Sequence, residues 1–247
     1  MSPLLTALAG LVLGAIAGSF LAVILMRWPE GRSALGGRSR CDSCGEALRP
    51  GELMPILSYY LQRGRCRRCG APIDGRHVTV EVASAAIGLV AALAHPLALA
   101  LATALLGWWL LLIALLDLEY QWLPDRLTLP LIPVGWAVAW LGIGPALPDR
   151  VIGAAMGFLI LWLVAIVYKR LRGWEGLGGG DPKLLAAIGA WLGWQQLPIV
   201  LLGAGLFGLA AVLTHWLRGH KVTGTDRLPL GTLMAIAAWP IWLLIAS

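Results

Sequence analysis

The chain has 247 residues, of which 59% are hydrophobic and only 13% charged, with a mean hydropathy of +0.79. An ordinary soluble domain carries about a quarter charged residues, so this composition excludes one and places the chain in a membrane. A net charge of +6 would suggest nucleic acid in a soluble protein; here the cations read instead as topology markers that meet anionic headgroups, and no nucleic-acid partner is expected.

In chain order, apolar runs occupy Pro3–Met26, Val82–Ala94, Leu97–Leu116, Leu127–Ile143, Val151–Tyr168, Leu184–Trp194, Ile199–Leu217 and Leu228–Ala246. A bilayer core of about 30 Å takes roughly 20 helical residues, and only helices or closed barrels satisfy the backbone in lipid. No period-2 alternation supports a barrel. The expected fold is therefore an all-α polytopic membrane protein with about eight transmembrane helices. Val82–Ala94 and Leu184–Trp194 are short, each either a buried partial span or half of a tight helical hairpin, which leaves seven spans as the other count. The expected organisation is a first transmembrane helix over 1–26, a cytosolic module over 27–80, and a helical membrane domain over 81–247.

The first run lacks the basic leader of a secretory signal, and the basic cluster follows it instead. It is expected to stay as an anchor with its N-terminus on the periplasmic side. With eight spans in that orientation, every Lys and Arg except Arg150 falls on the cytosolic face, as the positive-inside rule requires. Trp28, Trp122, Trp140, Trp174, Trp194 and Trp216 fall at span ends, the placement of an interfacial belt.

The module between the first two spans holds all four cysteines, as Cys41-Asp-Ser-Cys44 and Cys66-Arg-Arg-Cys69. Two CxxC pairs at this spacing deliver four thiolates to a tetrahedral ion, and zinc suits four sulfurs. Gly45 and Gly70 follow the pairs, as tight turns round a metal would want. Disulfides are disfavoured on a reducing face. Four thiolates leave no open position for water, so a structural Zn2+ is expected, organising a loop too small for a strong core of its own. His77 reads as a surface histidine beside the membrane rather than a ligand.

Among the acids, Glu30, Asp42, Glu46, Glu52 and Asp74 read as solvated, Asp149 and Asp226 as turn residues, and Glu81 as partner of a basic residue or part of a polar groove. Asp117 and Asp181 stand apart. Asp117 ends the run "LLGWWLLLIALL", and Asp181 opens "DPKLLAAIGAWLG" after the glycines at 176, 178, 179 and 180. Ionisable residues where spans meet the interface are functional candidates by default. Alternating topology puts both at the cytosolic edge, where two carboxylates from different helices could share a proton and divide general base and general acid duties in hydrolysis. The structural alternatives are an N-cap for Asp181, with Pro182 at the first helical position, and pairing of Asp117 with Arg126 or Lys183. An N-cap does not account for the glycines, which would let an extended peptide lie close to an acid.

Together these segments resemble a known family. "GLGGGDPKLLAAIGAWLGW" is similar to the GxGD segment of bacterial type IV prepilin peptidases, and "LLDLEYQWLPDRLTLP" to their first aspartate segment. "GSFLAVILMRWP", the CxxC pairs, "PILSYYLQRGRC" and Glu81 match the family's zinc-module region. The resemblance implies an inner-membrane aspartyl endopeptidase and N-methyltransferase of the pilus and type II secretion pathways. It would cut the leader from prepilins and pseudopilins on the cytosolic side, then methylate the new N-terminal amine with S-adenosylmethionine. It also implies Asp117 and Asp181 as the catalytic pair, with Gly178 and Gly180 of GxGD against the substrate. Ala22 and Val78-Thr79-Val80 depart from the family pattern, both in the region associated with methylation, and no glycine-rich fingerprint locates the methyl donor. A proton-coupled transporter would place its carboxylates near the midplane of repeated halves, and a zinc-ribbon membrane scaffold would need neither eight spans nor the aspartates.

Overall fold

Backbone groups in hydrocarbon must pair within the chain, which a helix achieves without a partner. The computed structural model describes residues 3–34, 36, 38–173, 176–219 and 228–246, and among them it is helical, with no strands beyond two isolated bridges. Trp174, Lys221, Asp226 and Arg227 lie outside the described residues. The helices are α1 (Pro3–Arg27), α2 (Leu57–Leu61), α3 (Gly75–Ala94), α4 (Leu97–Tyr120), α5 (Asp125–Trp140), α6 (Leu147–Arg172), α7 (Asp181–Leu192), α8 (Leu197–Leu217) and α9 (Leu230–Ile245). Apart from the short α2, eight helices are found among the described residues of this all-α polytopic membrane protein. Five are long and apolar enough to cross a bilayer: α1, α3, α4, α6, and α8 with the 3-10 turn Trp194–Gln196 before it.

The two short apolar runs resolve differently. Val82–Ala94 is the inner part of a 20-residue helix, started earlier by Asp74, whose Oδ1 accepts the Arg76 N–H at 2.9 Å. Only His95 and Pro96 separate α3 from α4. In contrast, α7 has 12 residues, about 18 Å of helix against a core of about 30 Å. Every one of its residues except Lys183 is buried, with α5, α6 and α9 packed round it. It is a partial span, apolar on every side because protein covers it on every side.

The chain divides into two units, Met1–Trp108 and Trp109–Ser247. In the first, α1 and α3 cross closely through small residues. A Cβ at Gly10 would lie 2.4 Å from the Gly88 carbonyl oxygen, and one at Gly14 would lie 2.3 Å from that of Ser84. Lipid tails are as apolar as leucine, so close backbone approach rather than hydrophobic exclusion holds such helices together. The Gly10-x-x-x-Gly14-x-x-x-Gly18 stripe puts those residues on one face.

The second unit applies the same device to α6 and α7, where Gly153 and Gly189 face one another and Gly157 faces the Leu185 carbonyl. Pro130 and Pro133 interrupt the α5 ladder, and two indoles donate to α5 carbonyls, Trp109 to Leu127 at 3.0 Å and Trp191 to Leu131 at 2.9 Å. Arg150, on the sequence a lone cation on the outer face, is fully buried. Its Nε donates to Pro145 O at 2.9 Å, one Nη to Gly135 O at 2.7 Å and the other to Ile143 O, while its guanidinium lies 5.3 Å from the Trp242 ring centroid. It ties the end of α5, the following loop and α9 into one block.

Candidate active site and metal centre

Asp117 lies in the last turn of α4 and Asp181 is the first residue of α7; they are 5% and 7% exposed. They belong to the same unit.

Each carboxylate is held by a backbone amide. Asp181 Oδ2 accepts the Gly178 N–H at 3.0 Å, and the Asp181 N–H returns to Gly178 O at 3.2 Å. The helix cap is Gly180 rather than Asp181, which corrects the N-cap reading: the side chain reaches back to the glycine loop instead of forward to the open amides of the first turn. Asp117 Oδ2 accepts the Thr232 N–H at 2.8 Å and lies 3.3 Å from Thr232 Oγ1. The ion pair weighed for Asp117 goes elsewhere, because Lys183 Nζ sits 2.7 and 2.8 Å from the two oxygens of Asp125. That pair ties the start of α5 to the start of α7.

The glycines before Asp181 serve different ends. A Cβ at Gly176 would strike the Tyr168 ring at 2.2 Å, and one at Gly180 would strike Leu123 at 2.5 Å, whereas at Gly179 it would meet nothing within 4 Å. Leu123, from the α4–α5 link, also lies 3.0 Å from a Cβ placed at Gly231. Gly180 and Gly231 thus form a notch for Leu123 that draws three distant segments together beside the acids. The sequence carries the signal for this only in retrospect, as "PLGT" opening the last apolar run.

In the first unit, the four cysteine sulfurs lie within 4.8 Å of one another. Four bonds of about 2.3 Å to a tetrahedral zinc would separate the sulfurs by about 3.8 Å, and Cys41 Sγ to Cys69 Sγ is 3.9 Å. All four are free thiols. The cluster therefore fits a metal ion held by Cys41, Cys44, Cys66 and Cys69. The two knuckles repeat one another: the Cys41 N–H donates to Glu46 O at 2.9 Å and the Cys66 N–H to Ala71 O at 2.8 Å. Arg40 and Arg65 each reach the carbonyl of the glycine five residues on, Gly45 and Gly70, both in left-handed conformation. Sequence reading found the CxxC pairs but not this R-C-x-x-C-G duplication. Arg68 of one knuckle pairs with Glu46 of the other. The amides of Cys69 and then Arg68 pull the Cys66 thiol down to about 7. The Glu46 amide favours the Cys44 thiolate, but desolvation and the three other thiols outweigh it and push Cys44 up to about 11.

Glu81 is buried, and among the described residues its Oε2 accepts the Ile56 N–H at 2.6 Å. Ile56 has φ 62° and ψ −55°, and the Leu57 N–H donates to Pro55 O at 2.5 Å across it. This is a γ-turn, a rare and strained form for a β-branched residue, and Glu81 secures the amide the turn leaves over.

The profile described as "Type IV leader peptidase family" matches residues 104–213, and that described as "Bacterial Peptidase A24 N-terminal domain" matches residues 12–95. The chain is 41% identical over 251 residues to the prepilin leader peptidase/N-methyltransferase of Burkholderia pseudomallei, covering 91% of this chain and 81% of that protein. It is 38% identical over 262 residues to the protein of the same description from Pseudomonas aeruginosa, with coverages of 96% and 90%. To the Aeromonas hydrophila protein so described it is 44% identical over 204 residues, covering 82% and 70%. No solved structure matches the chain at a significant level.

Proposed function

Because the chain belongs to the type IV leader peptidase family, we propose that it is a membrane aspartyl endopeptidase and N-methyltransferase acting on type IV prepilins and type II secretion pseudopilins. One observation carries the peptidase reading: Asp117 and Asp181, buried at two helix ends of one unit, each fixed by a backbone amide and each beside a glycine that packs on Leu123. One ionised carboxylate takes a proton from water as it attacks the scissile carbonyl. The other, protonated, gives its proton to the departing amide nitrogen as the tetrahedral intermediate collapses and the C–N bond breaks. No acyl-enzyme forms. The leader runs extended past Gly178 and Gly180, and the cytosolic face carries the acids and the cysteine module. The new N-terminal amine is then methylated with S-adenosylmethionine as donor.

Cys41, Cys44, Cys66 and Cys69 would hold Zn2+, which with four thiolates supplies no reactive position and serves to order the module. The transporter and scaffold readings are not favoured, since neither accounts for relatives of this description over most of the chain.

Detergent-purified protein incubated with a prepilin, with and without S-adenosylmethionine, tests both activities. Asp117→Asn and Asp181→Asn should each abolish cleavage while inserting and unfolding like the parent. Substantial cleavage by both variants would sink the assignment.

A further inference from the structure

The start of α9 bears on the site, although it lies beyond the residues 104–213 matched by the family profile. Thr232 is the third residue of α9, in the first turn, where a backbone N–H has no acceptor within the helix. That N–H is given to Asp117 Oδ2 at 2.8 Å, 115 residues away in the chain. The Thr232 hydroxyl is 2.8 Å from Ala114 O, one turn before Asp117 on α4, and 3.3 Å from Asp117 Oδ2. A hydroxyl has one proton, and the shorter contact takes it. The hydroxyl therefore fastens α9 to the α4 backbone, while the amide supplies the donor to the carboxylate. Gly231 makes the approach possible: a Cβ there would lie 2.9 Å from Asp117 Oδ2 and 3.0 Å from both methyls of Leu123.

Asp117 needs such a hold. Its own helix ends at Tyr120, and the chain then leaves through Gln121 at φ 50°. A reacting group must sit within about 0.5 Å of its working position, and the end of a helix does not fix a side-chain rotamer by itself.

We infer that Thr232 is a positioning residue, whose amide fixes Asp117 through Oδ2 while its hydroxyl fastens α9 to the α4 backbone one turn away, leaving Oδ1 to work on the attacking water. The inference rests on Asp117 belonging to the catalytic pair. Thr232→Val keeps the branched shape and the amide but deletes the hydroxyl. Thr232→Pro removes the amide hydrogen, which the first turn does not use within the helix, and sets a ring carbon against Asp117 Oδ2. Thr232→Ser keeps both groups.

In steady-state prepilin cleavage, Thr232→Pro should lower kcat about 10- to 100-fold, the range expected for losing a hydrogen bond to a charged group, and Thr232→Val about 5- to 10-fold, the range for losing a neutral one. KM should stay within about twofold, and Thr232→Ser should restore the parent kcat to within about threefold. A parent-like kcat in either Thr232→Pro or Thr232→Val, or a loss confined to KM, overturns the inference. Should Thr232→Pro not insert, Thr232→Val against Thr232→Ser decides alone. Asp117→Asn, run alongside, separates the two levels: if it cleaves, the catalytic pair is wrong and this inference falls with it. If it is inactive while the Thr232 variants are fully active, only the inference falls.

Discussion

Gly189→Ala tests whether the α6–α7 contact sets the position of Asp181. The added Cβ would lie 2.2 Å from Gly153 O and 2.4 Å from Gly153 C. Ordinary contact begins near 3.4 Å, so the two backbones must part by about 1 Å, and neither is the flexible end of a side chain. Overpacking of this kind costs about 1–3 kcal/mol, which at this chain length lowers the unfolding midpoint by several degrees. The functional effect should be larger in proportion. α7 carries Asp181 in its first turn, and a misplacement of about 1 Å can cost roughly 100-fold in rate. The assay is paired: thermal unfolding in detergent followed by tryptophan fluorescence, and prepilin cleavage at saturating substrate. Gly205→Ala on α8 is the control, because a Cβ there meets nothing within 4 Å and alanine favours helix. If Gly189→Ala unfolds and cleaves as the parent does while inserting normally, the close α6–α7 contact does not set the position of Asp181.

Arg150→Met should lower stability strongly, by about 3 kcal/mol or more, since it leaves the carbonyls of Gly135, Ile143 and Pro145 buried without their donor. Arg150→Lys should fall between, because an ammonium cannot reproduce the fork; equal midpoints for the parent and both variants would refute this. Metal affinity, read by competition with a chromophoric chelator, should fall as pH falls. Cys44 is held up at about 11 and must lose its proton to bind, and below about 7 Cys66 must do so too; a pH-independent affinity between 6 and 8 would contradict four-thiolate binding. The Arg76 guanidinium holds the Asp74 carboxyl below the usual range. Its cap on α3 is therefore intact above about 4, the unfolded value, and is lost as pH falls below it. Asp74→Ala should cost about 1 kcal/mol at neutral pH, and its deficit against the parent should shrink in acid, as protection of the first-turn amides by hydrogen exchange would show.

What the sequence discloses and what it withholds divide along a physical line. The cysteine knuckles and the two acids are legible because their chemistry requires particular side chains: thiolates for the ion, carboxylates at helix ends. The apolar runs are legible because lipid admits helices, although α3 begins before the run that marks it. Its first turn carries Arg76, a polar residue that reads as part of the cytosolic module and is helical because Asp74 caps the start of α3.

The withheld features are those in which a side chain serves backbone from a remote segment. Arg150 is spent on three carbonyls, Glu81 on the amide of a γ-turn, Asp181 on Gly178 and Asp117 on Thr232. Sequence reasoning weighed Arg126 or Lys183 as the cation for Asp117, and the partner of Lys183 is Asp125. In a protein with 13% charged residues such partners are scarce, whereas amides and carbonyls freed at helix ends, prolines and turns are not, and each is costly to bury unmet. The acids accordingly settle on backbone. Amides carry no residue identity, so which one an acid finds depends on how the helices cross. That crossing is itself set by glycines whose contribution is to have no side chain. The α9 start is the sharpest case: Gly231 admits it, Thr232 spends an amide that α9 cannot use, and nothing in "PLGT" alone names Asp117 as the recipient.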